Sequence, residues 1–224
     1  SFISQNGYEY MLKKYNEFSM KMSVHYLGTK DYGIGNFDSE LPFTIVSCSA
    51  VVPIKRVNRI VDVLEKFKGI KLQWFHFGVG KNFEELNSYA AERLGFNPDI
   101  KYKLVGQVSN KQLMDFYKRS SVNVFVNVSE NEGLPVSIME AISFGIPVIA
   151  TDVGGTKEAF DSDSCQFLLP KEFDNNQLYQ MIYRFITMDI KEYIQMREQA
   201  RQRWEKIFSA YANYNTFIED FFGK

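Results

Sequence analysis

The sequence predicts an α/β fold, a mostly parallel sheet with helices on both faces, and three observations carry that expectation. From residue 44 onward, short β-branched runs alternate with longer segments of helical periodicity. Two of the runs, VNVFVNV (122–128) and PVIAT (147–151), read as strands buried on both sides, the habit of a parallel sheet. Between them a helical pattern stops at a glycine and turns through a proline into the next strand, as ISFGIPVIAT.

In order, the strands are expected at 44–52 (TIVSCSAVV), 72–78 (LQWFHFG), 103–108 (KLVGQV), 122–128, 147–151 and 166–169 (QFLL). The helices are expected at about 57–67, 83–94, 110–119, 135–144, 156–160 and 175–188. This order is Rossmann-like, a topology that does not name its ligand. Two ends fall outside the unit. Residues 1–40 hold a helical stretch (7–18), a short strand (23–26) and a Gly- and Asp-rich loop, DYGIGNFDSELP, that reads as a linker. Residues 190–224 hold two helical stretches whose aromatic and apolar positions, among them Trp204, Tyr211 and Phe221, need a surface to cover. The divisions are therefore 1–40, 41–189 and 190–224.

Composition excludes several classes. Over 224 residues the net charge is −1, with no Lys/Arg run that would track a phosphate backbone, so no nucleic-acid partner is expected. No apolar stretch reaches a membrane span of about 20 residues. The start, SFISQNGYEY, lacks the basic end and apolar run of a secretory leader. Cys48 and Cys165 sit in separate apolar runs and read as buried free thiols, which fits a cytoplasmic setting. With two His and no Cys cluster, no metal site is expected.

The chemistry concentrates in SENEGLPVSIMEA (129–141), directly after a buried strand. In an open α/β sheet the ligand crevice lies at the carboxyl ends of the strands. Gly133 lets backbone approach a ligand, and Pro135 suits a first helical position, so a helix is expected to begin near Leu134 with free N–H groups toward the crevice. Such an end favours an anion, a diphosphate above all. Glu132 stands just before the helix and Glu140 about one and a half turns inside it. A carboxylate accepts both hydrogen bonds of a vicinal diol, so acids flanking a diphosphate point to sugars at its two ends. Taken alone they also read as a dipole-stabilised acid at a helix start and a solvated surface residue.

The continuation, EGLPVSIMEAISFGIPVIATDVGGTKE, closely resembles the retaining glycosyltransferases of family 4, which have the two-domain GT-B fold. Their signature is a glutamate, seven residues and a second glutamate, here Glu132 and Glu140, and the similarity runs over most of residues 44–187. The resemblance implies that the chain is one half of a GT-B fold, the half that binds the nucleotide-sugar donor, with a UDP-sugar favoured over a GDP-sugar. It implies that Glu140 binds the ribose hydroxyls, that Glu132 touches the donor sugar, and that Gly133, Leu134, Pro135 and Val136 line sugar and diphosphate with their backbone. Lys55 matches the lysine that contacts the phosphates, and Gln107 and Val108 match the segment beside the base. Many members carry an arginine where this sequence has Ala50; Arg56 reads as a residue that caps or decorates a helix, with compensation for that arginine as the alternative. Gly78 and Gly80 match a glycine turn of the family and equally suit a plain tight turn. Ser109 suits a helix N-cap as well as a base contact. His76, between Phe75 and Phe77, reads as a core histidine, His25 is given no catalytic role, and the glycosylation triplet at Asn127 falls in a buried strand.

The reaction so implied transfers a hexose from a nucleoside diphosphate to an acceptor hydroxyl with retention, in polysaccharide or glycolipid synthesis. Lys55 and the helix amides would stabilise the departing diphosphate without a metal or other cofactor. Implied partners are the donor, a saccharide or lipid-linked acceptor, and an amino-terminal acceptor domain, of which residues 1–30 would be the last piece. That domain would supply contact with the inner face of the membrane, and without it the chain is expected to transfer nothing. A non-catalytic nucleotide-sugar-binding module and a nucleotide-sugar epimerase are the alternatives.

Overall fold

The alternation of apolar runs resolves into six parallel strands. In the computed structural model, which describes residues 1–162 and 164–223, these are β1 (Phe43–Cys48), β2 (Leu72–Phe77), β3 (Ile100–Gly106), β4 (Val124–Asn127), β5 (Val148–Thr151) and β6 (Leu168–Leu169). They lie in the order β3-β2-β1-β4-β5-β6. β1 is central: Ile45 pairs with Trp74 on one side and Val124 on the other.

Helices cover both faces because each buried strand serves two cores. Ile45, Val124, Val126 and Ile149 enter one cluster with α2 (Asn58–Leu64), α3 (Phe83–Leu94) and α6 (Asn175–Thr187). Their strand neighbours Val46, Phe125, Val148 and Ala150 enter a second with α4 (Asn110–Arg119) and α5 (Val136–Ser143). This is the period-two geometry of a strand with both sides apolar. Capping boxes start α4 (Ser109 with Gln112) and α6 (Asp174 with Gln177). Gly145, at φ 69°, ends α5 in the left-handed conformation glycine tolerates.

Several expected elements are shorter. The first strand stops at Cys48, and the apolar residues beyond it run into a single 3-10 turn at Pro53–Lys55. The fourth strand keeps only Val124–Asn127, because the Asn127 side chain turns back to accept the Ser129 N–H at 3.0 Å. Residues 156–160 form one 3-10 turn, Thr156–Ala159, rather than a helix. In the amino-terminal segment, α1 (Gln5–Lys14) ends at Tyr15 and a 3-10 stretch, Asn16–Lys21, follows. The strand expected at 23–26 is one bridge, Phe2 to Val24.

The loop read as a linker lies against the body. Gly35 donates to the Phe144 carbonyl at 2.9 Å and accepts from Arg197 at 2.9 Å, while Asn36 donates to Lys118 at 3.1 Å. Arg197 comes from α7 (Ile190–Ile207), which buries Tyr193, Met196 and Trp204. The two ends of the chain cross at one point: Thr29 donates to Phe208, and Ala210 donates back to Thr29. Beyond that crossing α8 (Ala210–Phe222) buries no residue, and Tyr211 and Phe222 are exposed. Among the described residues no helix is long and apolar enough to cross a membrane.

Candidate functional site: the crevice above β1 and β4

β1 and β4 are neighbours, yet the chain leaves them for opposite faces, β1 toward α2 and β4 toward α5. A crevice opens where the connections diverge. Its two lips are the loop after β1 and the loop after β4, zipped by a hydrogen bond from the Glu130 amide to the Ile54 carbonyl (2.8 Å). Arg56, in the left-handed region at φ 49°, closes the base by donating to the carbonyls of Val128 (2.8 Å) and Ser129 (3.2 Å). Its guanidinium is thus engaged by the scaffold.

Across this crevice Lys55 Nζ donates to Glu132 Oε1 at 2.6 Å. The two residues expected to work on the donor are in direct contact. Asn127, at the end of β4, donates to the same carboxylate oxygen from Nδ2 at 3.1 Å. The main chain of Glu132 and Gly133 is braced from behind by the Gly154–Gly155 turn: Gly155 donates to the Gly133 carbonyl at 2.7 Å. Gly154 sits at φ 55°, and a Cβ there would lie 1.7 Å from the Glu132 carbonyl oxygen, so only glycine fits. A Cβ on Gly133 would meet nothing within 4 Å, which leaves its backbone open toward the crevice.

α5 starts one residue later than the expected 135–144. Pro135 is the N-cap (φ −74°, ψ 103°), not the first helical residue, and Val136 begins the helix with no side chain capping it. The first N–H groups of a helix have no partner within it, so those of Val136 and Ser137 are the ones presented to an anion. Leu134 and Pro135 are buried and Val136 is exposed, so the first two can offer a ligand only main chain.

Glu140 lies further along α5, half-buried, and accepts from Asn110 Nδ2 at 2.6 Å. Burial raises its carboxyl pKa, and the Asn110 hydrogen bond opposes that rise. Asn110 opens α4 immediately after Gly106-Gln107-Val108-Ser109, so its bond to Glu140 draws that turn, with exposed Gln107 and half-buried Val108, to the α5 end of the crevice. Below them the Cys48 thiol is pushed up to about 12, by burial first and then by the Glu140 charge, and stays a neutral thiol. Cys48 and Cys165 are both free.

Other candidates resolve as structure. A Cβ on Gly78 or Gly80 would strike the carbonyl of Ser49 (2.0 Å) or Val51 (2.4 Å), so these glycines serve the packing of the β2 exit on the β1 exit. His76 is fully buried against the Ser47 hydroxyl (2.8 Å), with its pKa lowered to about 4 by burial. His25 pairs with Asp220 of α8 at 3.0 Å, and the Phe217 and Phe221 rings pack on it. Among the described residues no three His, Cys, Asp or Glu side chains form a metal-binding group. The sequence does contain an Asp-Ser-Asp triplet at 161–163; Asp161 accepts from the Ser164 amide at 2.8 Å, and residue 163 lies outside the described residues. Asn127, noted in the sequence only as part of a glycosylation triplet, and Asn110 are the two amides that touch the two glutamates. The available signal for Asn127 was a polar residue inside an otherwise apolar strand.

The family described as glycosyl transferases group 1 matches residues 36–203. An O-antigen biosynthesis glycosyltransferase of Escherichia coli, WbnH, is 25% identical over 151 residues, 63% of this chain and 41% of the relative. The GtfA subunit of the UDP-N-acetylglucosamine–peptide N-acetylglucosaminyltransferase of Streptococcus agalactiae is 28% identical over 137 residues, 60% of this chain and 26% of the relative. The chain spans less than half the length of the curated relatives it matches. Among solved structures, Anabaena Alr3699/HepE in complex with UDP and glucose superposes with a TM-score of 0.77 at 19% identity, over 98% of this chain and 61% of that one. At that identity the likeness is one of fold, the six-stranded parallel sheet with surrounding helices.

Proposed function

The chain belongs to the group 1 glycosyl transferases, and from that premise we propose that it is the donor-binding half of a retaining, metal-independent enzyme that moves a hexose from a UDP-sugar to a saccharide or lipid-linked acceptor. The observation that carries this reading is the joint placement of Lys55, Glu132 and the uncapped start of α5, with Glu140 further along the same helix. A diphosphate laid at Val136 and Ser137 meets two amides and the positive end of the helix, and Lys55 reaches it from the opposite lip. Its sugar then falls toward Glu132 and Gly133, and its ribose toward Glu140. The negative charge that builds on the leaving diphosphate is met by groups already aimed at it, the preorganised electrostatics by which such a site lowers a barrier. The acceptor proton passes to the departing phosphate oxygen on the same face of the sugar. UDP is favoured over GDP because the superposed Anabaena protein holds UDP and glucose, and polysaccharide synthesis because a relative serves O-antigen biosynthesis.

Calorimetric titration of the 224-residue chain with UDP, GDP and ADP tests the reading, alongside Glu140→Gln. UDP is expected to bind best, with affinity falling about tenfold or more in the variant as a charged hydrogen bond to the ribose is lost. Equal binding by the two proteins would remove Glu140 from the ribose role. Binding without turnover is expected of this chain alone, and sugar transfer by it would overturn the assignment of a second, acceptor-binding half.

A further inference from the structure

We propose that Asn127 is a positioning residue for Glu132, holding its carboxylate on the sugar side of the crevice when Lys55 turns to the diphosphate; this rests on the donor-site reading above. Asn127 is 6% exposed at the end of a strand whose other residues are all apolar. An amide in such a place is costly unless its hydrogen bonds are made. The orientation of this one follows from chemistry: the Ser129 main-chain N–H can only donate, so it faces Oδ1 (3.0 Å), which turns the Nδ2 donor onto Glu132 Oε1 (3.1 Å).

Glu132 Oε1 therefore has two donors of different kinds. Lys55 is long, flexible at its stem and cationic, so a diphosphate would compete for it. Asn127 is short, neutral and fixed to the sheet, so no phosphate can draw it away. Without Asn127 the carboxylate would follow Lys55 toward the phosphates or swing free as the donor binds. With it, Oε1 stays anchored. Oε2, which accepts from no group among the described residues, is left to meet a sugar hydroxyl. Asn127 also fixes the first turn of the loop through Ser129, so its substitution has to be designed to separate the two contacts.

Asn127→Asp makes that separation. It keeps an oxygen acceptor for the Ser129 N–H and replaces the donor facing Glu132 with a carboxylate. The readout is sugar preference, the ratio of affinities for a UDP-sugar (UDP-glucose, UDP-galactose and UDP-N-acetylglucosamine each tried) to that for UDP, measured by calorimetry. The wild-type chain is expected to prefer its sugar nucleotide, and Asn127→Asp at about pH 8 to lose about tenfold of that preference, with a lowered Tm from the facing carboxylates that recovers toward low pH. Toward about pH 5.5 the facing carboxylates share a proton, a donor returns, and the preference recovers. A role confined to loop structure would instead lower UDP and UDP-sugar binding together, with no recovery at low pH. An unchanged ratio at about pH 8, or a parallel loss of both ligands, overturns the proposal. Binding of UDP by the wild type with no gain from any sugar also overturns it and leaves the donor site standing, whereas no UDP binding by the wild type defeats the donor-site reading itself.

Discussion

Lys55 Nζ lies 2.6 Å from Glu132 Oε1, joining two residues 77 apart in the chain across the crevice between β1 and β4. Neither is fully wet: the side chains are 22% and 12% exposed. A pair so placed is stronger than a surface salt bridge and remains reachable by a ligand that can offer Lys55 more negative charge. On the proposed reading, donor binding would exchange the partner of Lys55.

That exchange would be visible in the phosphate dependence of binding. Lys55→Met is expected to weaken UDP by about a hundredfold, the scale of a lost charge-assisted contact in a sheltered site, and to leave uridine nearly unaffected. Titrations with the two ligands give the comparison. A parallel loss for both would place Lys55 outside the phosphate site.

The ribose role proposed for Glu140 is expected to make UDP binding pH-dependent. Burial holds its carboxyl pKa above the usual range, and the ribose hydroxyls require the ionised form as acceptor. Affinity is expected to fall as pH is lowered through that raised range, and binding to release protons, measured as a heat that varies with the ionisation enthalpy of the buffer. The sign for stability is the reverse. A carboxyl pKa raised in the folded state favours the fold while protonated and loses that contribution as pH rises. At neutral pH Glu140→Gln is expected to match or exceed wild type in Tm even as it loses UDP. A destabilised Gln variant would assign Glu140 a structural role.

Gly154 and Gly133 differ in what they tolerate. Gly154→Ala sets a methyl on the Glu132 carbonyl (1.7 Å) at a positive φ, so a loss of about 2–4 kcal/mol or a displaced loop follows. Gly133→Ala, whose methyl meets nothing within 4 Å, is expected to stay within about 1 kcal/mol of wild type. Urea denaturation of both variants decides it. Equal stabilities would show that the turn is not what supports the loop.

His76 is a titration liability in the core. Its folded pKa, lowered to about 4 by burial, lies below the unfolded value of about 6.5. The unfolded chain therefore binds the extra proton between these values. The stability present above about pH 6.5 drains away as pH falls toward about 4, by about 3 kcal/mol from this group. Urea midpoints across that window should slope for wild type and flatten for His76→Leu. Identical slopes would assign the acid sensitivity to other groups.

The fold was legible because its signals are local. Apolar runs at strand spacing, a capping pair such as Ser109 and Gln112, and Gly145 at a helix end act within a few residues. They marked the core strands and α3 to α6 to within a few residues. They overran where a side chain turned back on its own backbone and ended an element, as at Asn127, or where apolar residues continued into a loop, as after Cys48. The glutamates of the candidate site were legible for a similar reason. Glu132, Gly133 and Glu140 share one loop and helix, whose spacing alone sets them along a single edge.

By itself, then, the sequence determined the class of sheet, the helix that faces the crevice and the residues that ride on it, since periodicity and turn chemistry are properties of neighbouring residues. Only the tertiary structure decided that Lys55 would meet Glu132, that Asn127 and Asn110 would hold the two carboxylates, and that Arg56 would be spent on the scaffold. The contacts of Lys55 and Arg56 exist because β4, not β2 alone, pairs with β1. The strand order brings together loops far apart in the chain, and no local pattern encodes which loops those will be.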